Sequence, residues 1–125
     1  MAIEDYKRPV VYGEAAIDLF QAAWSLDDGV YEKLLGVDRG WLRRWRNHEI
    51  DLIVKPVWER FQDLLRLHAA VRLHSAPESY GDFVSRAWET DSVLEGRSVI
   101  QAVIEDGNIA IDRVAKYLWS VAAGN

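Results

Sequence analysis

Apolar residues recur three and four positions apart wherever this chain is periodic, and a glycine or proline cuts each run before it grows long. That combination commits the sequence to short amphipathic helices that must bury one another's apolar faces. Between 13 and 24, Ala16, Ile17, Phe20, Ala23 and Trp24 fall on one helical face. Ser25, with Asp28 three positions on, reads as a capping box opening a second helix that runs to Leu35 and stops at Gly36. Asp38 is expected to cap a third helix over 39–47. Pro56 suits the first turn of a long helix over 56–74, with Val57, Phe61, Leu64, Leu65, His68 and Val71 on its buried side. After a break at 77–81, helices are expected at 82–90, carrying Phe83 and Trp88, at 97–106 and at 109–122. Residues 1–11 read as an irregular arm, and 50–55 as a short strand or a linker with an apolar plug. The fold class that follows is all-α.

The 125 residues suffice for one domain or for two small modules sharing a core, and half of them are hydrophobic, far from a disordered composition. The absence of cysteine excludes a disulfide scaffold and thiolate chemistry. His68 and His74 are six apart and so face opposite sides of a helix, which denies them a shared metal; His68 reads as a satisfied core histidine. Neither a glycine-rich phosphate loop nor a nucleophile elbow is present, so no catalytic residue, metal or cofactor is expected and the chain does not read as an enzyme. No apolar run approaches the length of a membrane span, and residues 1–10 lack the apolar stretch of a signal peptide. The expected location is the cytoplasm.

Charge is unevenly placed. Residues 1–38 carry a net −5, 39–72 a net +4 and 73–125 a net −4, in a chain of overall −5. Four arginines, Arg39, Arg43, Arg44 and Arg46, crowd into eight residues just past Gly36. A basic helix entered through a glycine turn is the arrangement of a helix-turn-helix reading element. In that reading Leu42 and Trp45 point to the core, and Arg39, Arg43, Arg44, Arg46 and Asn47 are the candidate DNA contacts, arginine for guanine edges and phosphates, asparagine for adenine. Trp41 and Trp45 read as core rather than as base-stacking platforms. Glu32 departs from the pattern, since such units usually carry Ala or Gly where their helices touch; a larger charged residue implies a looser crossing or a unit that has drifted from DNA binding. The alternative is a basic amphipathic helix lying against the acidic neighbours Asp27, Asp28 and Glu32.

Toward the C-terminus, Gly96 and Gly107 sit at helix boundaries, Ser98 reads as a cap, and Trp88, Leu94, Val99, Val103 and Leu118 make a small core. With the tract Leu34, Leu35, Gly36, Val37 and then Leu42, Arg43, Arg44, Trp45, the helix Phe61 to His68, the pattern Trp88, Leu94, Gly96, Ser98, and finally Gly107, Val114, Tyr117, Leu118 and Gly124, the chain resembles the Xre/MbcA/ParS family of bacterial antitoxins over about 16–124. It departs where Val99 follows the serine, a position often proline in the family, and at Asp91, near which asparagine is common.

The resemblance implies an Xre-like helix-turn-helix region over 1–55, a connecting helix over 56–76 and a toxin-binding domain over 77–125. It implies a RES-domain toxin that consumes NAD as the partner, neutralised by covering the entrance to its active site. The expected contact residues are Trp88, Gly96, Arg97, Ser98, Tyr117, Leu118, Gly124 and Asn125. Family members are typically homodimers that repress their own operon by binding operator DNA. Two other readings stay open: a protein-binding inhibitor with a vestigial helix-turn-helix, and a stand-alone regulator that senses a ligand.

Overall fold

The structure, a computed structural model, describes residues 5–7, 10–50 and 52–123. These residues form helices α1 (Val10–Ala23), α2 (Asp28–Leu35), α3 (Trp41–Arg46), α4 (Lys55–Val71), α5 (Tyr80–Ser85), α6 (Val99–Asp106) and α7 (Asn108–Ala122). Two three-residue strands, β1 (Asp5–Lys7) and β2 (Leu52–Val54), pair antiparallel with Tyr6 opposite Ile53. The fold is all-α apart from this ribbon. The strand alternative for 50–55 is the one realised, and part of the expected irregular arm becomes its partner. Three residues cannot show a period of two, and the pairing spans α1 to α3, so only tertiary structure reveals it.

Helix ends follow local chemistry, with two corrections. Asp27, not Ser25, caps α2: its Oδ1 accepts from the Val30 N–H at 2.8 Å, while Ser25 turns the chain at φ 54°. This frees Asp28 for other partners. Asp38 does not cap α3 with its side chain. Its carbonyl accepts from the Trp41 N–H, and Gly40, at φ 90°, stands at the N-cap. Helix α4 ends three residues before the expected position, and Trp88 lies beyond α5 rather than on it.

The buried apolar residues form one continuous cluster drawn from α1 to α7, β2 and the loop before α6. Helix α4 runs through it with Phe61, Leu64, Leu67, Ala70 and Val71 buried. Leu65, expected on this face, is instead 39% exposed. The reason is α7, which packs along the length of α4 and moves the buried arc toward Leu67. Contacts from Arg60 to Asn108, Arg66 to Asp112 and His74 to Leu118 advance together along both helices, so α4 and α7 run parallel.

Several polar atoms taken into this core are paired across elements, while the Nε1–H groups of Trp45 and Trp88 are buried without a hydrogen-bond partner. The Tyr31 hydroxyl, whose pKa burial pushes up, donates to the Ile17 carbonyl at 2.9 Å and ties α2 to α1. Trp24 Nε1–H donates to His68 Nδ1 at 2.9 Å, tying α1 to α4. The ring of His68 also meets Phe20 and the edge of Tyr80. His68 is therefore the satisfied core histidine expected, and its neutral form is the one that accepts.

Gly107 alone separates α6 from α7, at φ 67° and ψ −137°, a backbone region open only to glycine. A Cβ there would also sit 3.2 Å from Arg60 Nη2. Gly107→Ala should therefore cost about 1–3 kcal/mol in urea denaturation; an unchanged midpoint would show that the junction relaxes freely.

Burial, and secondarily the Arg72 charge, hold the pKa of His68 below its ordinary 6.5. The unfolded chain then binds a proton that the folded chain refuses, so this stabilisation is complete above about pH 6.5 and is lost as pH falls below it. The melting temperature should drop between about pH 7.5 and 5.5. His68→Asn, whose Oδ1 can still accept from Trp24, should show a shallower drop over that window; an equal slope would relocate the titration to another group.

Candidate functional site

Helices α2 and α3 are joined by a turn bounded by two left-handed glycines. The N–H of Gly36, at φ 74°, closes onto the carbonyls of Glu32 and Lys33, and Gly40 leads into α3. Because glycine offers no capping side chain, the first N–H groups of α3 need acceptors from elsewhere. Glu32, only 4% exposed, supplies one: its Oε2 accepts from the buried Leu42 N–H at 2.9 Å. The expectation that a glutamate here loosens the crossing is therefore corrected. The carboxylate reaches across the helix pair and fastens it.

The arginine tract divides in two. Arg46 turns back onto the fold: Nη1 meets Asp28 Oδ2 at 3.0 Å, Nε lies 3.6 Å from Asp18, and Nη2 donates to Gln21 Oε1. Gln21 in turn donates to Asp28 at 2.7 Å and to the Leu26 carbonyl. Hydrogen bonds from Arg46 and then Gln21 lower the pKa of Asp28, and those to Asp28 raise that of Arg46. Arg46 thus joins α1, α2 and α3. Arg39, Arg43 and Asn47 are exposed and Arg44 is half-buried. Their side chains make no hydrogen bond or ion pair among the described residues. Trp45 is buried as expected, and the half-buried Trp41 stacks on it, centroids 5.6 Å apart and planes 7° apart.

The C-terminal candidates also divide. Gly96, at φ 88°, turns the loop at 86–98, and its N–H donates to the Glu89 carbonyl. Arg97, with a side chain 18% exposed, reaches Glu105 at 3.0 Å, Asp106 at 2.9 Å and the Leu94 carbonyl at 3.1 Å. Its pKa is raised by hydrogen bonds to Asp106 and then Glu105, and that of Asp106 is lowered in return. Ser98 caps α6, its Oγ accepting from the Gln101 N–H at 3.0 Å. These three shape the loop and lock it to α6.

Trp88, Tyr117 and Leu118 do come together, around a cavity of about 420 Å³ also lined by His74, Phe83 and Val121. Edge-to-face and tilted contacts link Phe83 to Trp88 at 6.0 Å and Trp88 to Tyr117 at 5.9 Å. His74 Nε2 donates to the Leu118 carbonyl at 2.8 Å and its ring stacks on Phe83. The place of His74 in this wall had no signal in the sequence, because the His74 to Leu118 bond spans the chain from the end of α4 to α7. Tyr117, Trp119 and Val121 leave substantial apolar surface exposed on α7. Gly124 and Asn125 lie outside the described residues.

Among the described residues no group of three or more His, Asp or Glu side chains could hold a metal ion, and no helix is long and apolar enough to cross a membrane. Comparison with protein families, curated proteins and solved structures finds no match to this chain.

Glu32→Ala should cost about 1–3 kcal/mol, the penalty for leaving the buried Leu42 N–H unpaired, while Glu32→Gln, which retains an acceptor, should recover much of it. Chemical denaturation of the two variants checks this, and equal losses would remove the clasp.

Proposed function

We propose that this chain is an antitoxin of a type II toxin–antitoxin system. In this reading it represses its own operon by binding DNA, and it neutralises a RES-domain, NAD-degrading toxin by covering the toxin's active site. Like the family it resembles, it acts as a homodimer in the cytoplasm.

The observation that carries the DNA half is the set of arginines Arg39, Arg43 and Arg44, which have no ion-pair partner among the described residues of an otherwise acidic chain. An unpaired guanidinium moves to a phosphate or a guanine edge without first breaking an internal bond. Arg46 is assigned to holding α3 in place, not to contacting DNA. The partner half is supported by the aromatic cavity around Trp88, Tyr117 and Leu118 and by the apolar surface beside it on α7. Gly96, Arg97 and Ser98 then act indirectly, by shaping the loop that carries Trp88. Gly124 and Asn125 remain the residues assigned to reach the toxin's entrance.

Arg43→Ala with Arg44→Ala should weaken binding to the upstream promoter fragment by about 2–3 kcal/mol and lower the slope of log K against log salt by about 2. Rescue from a toxin encoded beside the gene should persist in this variant. Trp88→Ala with Tyr117→Ala should do the reverse, losing rescue while retaining promoter binding. No retardation of the promoter at low salt would leave a protein-binding inhibitor. Full rescue by the aromatic double variant, shown to be folded, would remove the toxin surface.

A further inference from the structure

The cavity between α5, the loop at 86–98 and α7 has two features that a surface for a protein partner does not need. Its lining includes four rings, His74, Phe83, Trp88 and Tyr117, and two exposed side chains of opposite charge, Arg86 and Glu89, close to Trp88 in the chain. The Arg86 guanidinium rests 5.3 Å from the centroid of Phe83, so a cation is held at the mouth. Neither Arg86 nor Glu89 makes a side-chain hydrogen bond or ion pair among the described residues.

A volume of about 420 Å³ lies in the range of small-molecule sites, which are mostly apolar with a few polar groups that fix orientation. An occupant that satisfies this lining has a flat apolar ring for the aromatic wall and a head bearing both charges for the rim. We propose that the cavity binds an aromatic α-amino acid. The ring packs among Phe83, Trp88 and Tyr117 over Leu118, the carboxylate faces Arg86, and the ammonium faces Glu89. The site belongs to the chain alone and does not rest on the antitoxin reading.

The test uses the full chain without DNA or toxin, and L-phenylalanine as the probe. Titration should quench or shift the indole fluorescence saturably, with a dissociation constant on the order of 0.1–1 mM. 3-Phenylpropionate, which lacks the ammonium, and phenethylamine, which lacks the carboxylate, should each bind about tenfold more weakly. The exposed residues Arg86 and Glu89 can be changed without opening the core. Arg86→Gln should abolish the preference for phenylalanine over phenethylamine and keep that over phenylpropionate; Glu89→Gln should do the opposite. The proposal is overturned if phenylalanine shows no saturation by about 10 mM. It is also overturned if uncharged benzyl alcohol binds as tightly, or if the two variants leave both preferences unchanged.

Discussion

Everything in this fold leans on α4. A chain with no cysteine, and with no cluster of metal ligands among its described residues, is held by apolar burial, and α4 supplies that burial on more than one side. Phe61, Leu64, Leu67 and Val71 are all within 2% of complete burial. Around them the chain spends its few interior hydrogen bonds on crossings between elements, Trp24 to His68 and Tyr31 to Ile17. Arg60 repeats the theme at the edge, donating to the last turn of α2 through the Leu34 carbonyl and to Asn108 at the start of α7. Directional bonds at these crossings fix how the helices meet, which apolar area alone does not do.

Two arginines that the sequence offered as contact residues are used inside the fold. Arg46 and Arg97 are each drawn to a pair of acidic side chains, Arg46 joining α3 to α1 and α2, and Arg97 joining the loop at 86–98 to α6. Charge-assisted, multidentate contacts are where arginine contributes most to structure. What remains available for partners is a smaller set on each side: Arg39 in the α2–α3 turn with Arg43 and Arg44 on α3, and the ring-lined cavity beside α7. The acidic balance of the chain is thus partly consumed inside it.

Much of this was legible in the sequence. The helices from α1 to α7, the left-handed stop at Gly36, the core placement of Trp45 and His68, and the Ser98 cap all follow from spacing and local chemistry. What was not legible depends on neighbours distant in the chain. The shift of the buried face of α4 from Leu65 toward Leu67 requires knowing where α7 lies. The β1–β2 ribbon requires its partner strand, and the choice of Asp27 over Ser25 as cap depends on the left-handed turn that Ser25 makes. Glu32 is the clearest case. Read by residue type it is an intruder at a helix contact, and only the glycine at the start of α3 makes it a replacement cap.

The parallel arrangement of α4 and α7 has a consequence for how the molecule assembles. Two adjacent helices can run parallel only if the chain between them travels back along their full length, and here α5, the loop at 86–98 and α6 make that return journey. Docking α7 on α4 closes a loop of 44 to 48 residues, comparable to the 44 that the Trp24–His68 bond closes between α1 and α4, and each closure carries an entropic cost. The cavity is walled by α7 on one side and by the returning segment on the other, so it exists only once α7 has docked. A nascent chain would present its arginines before it possessed a groove.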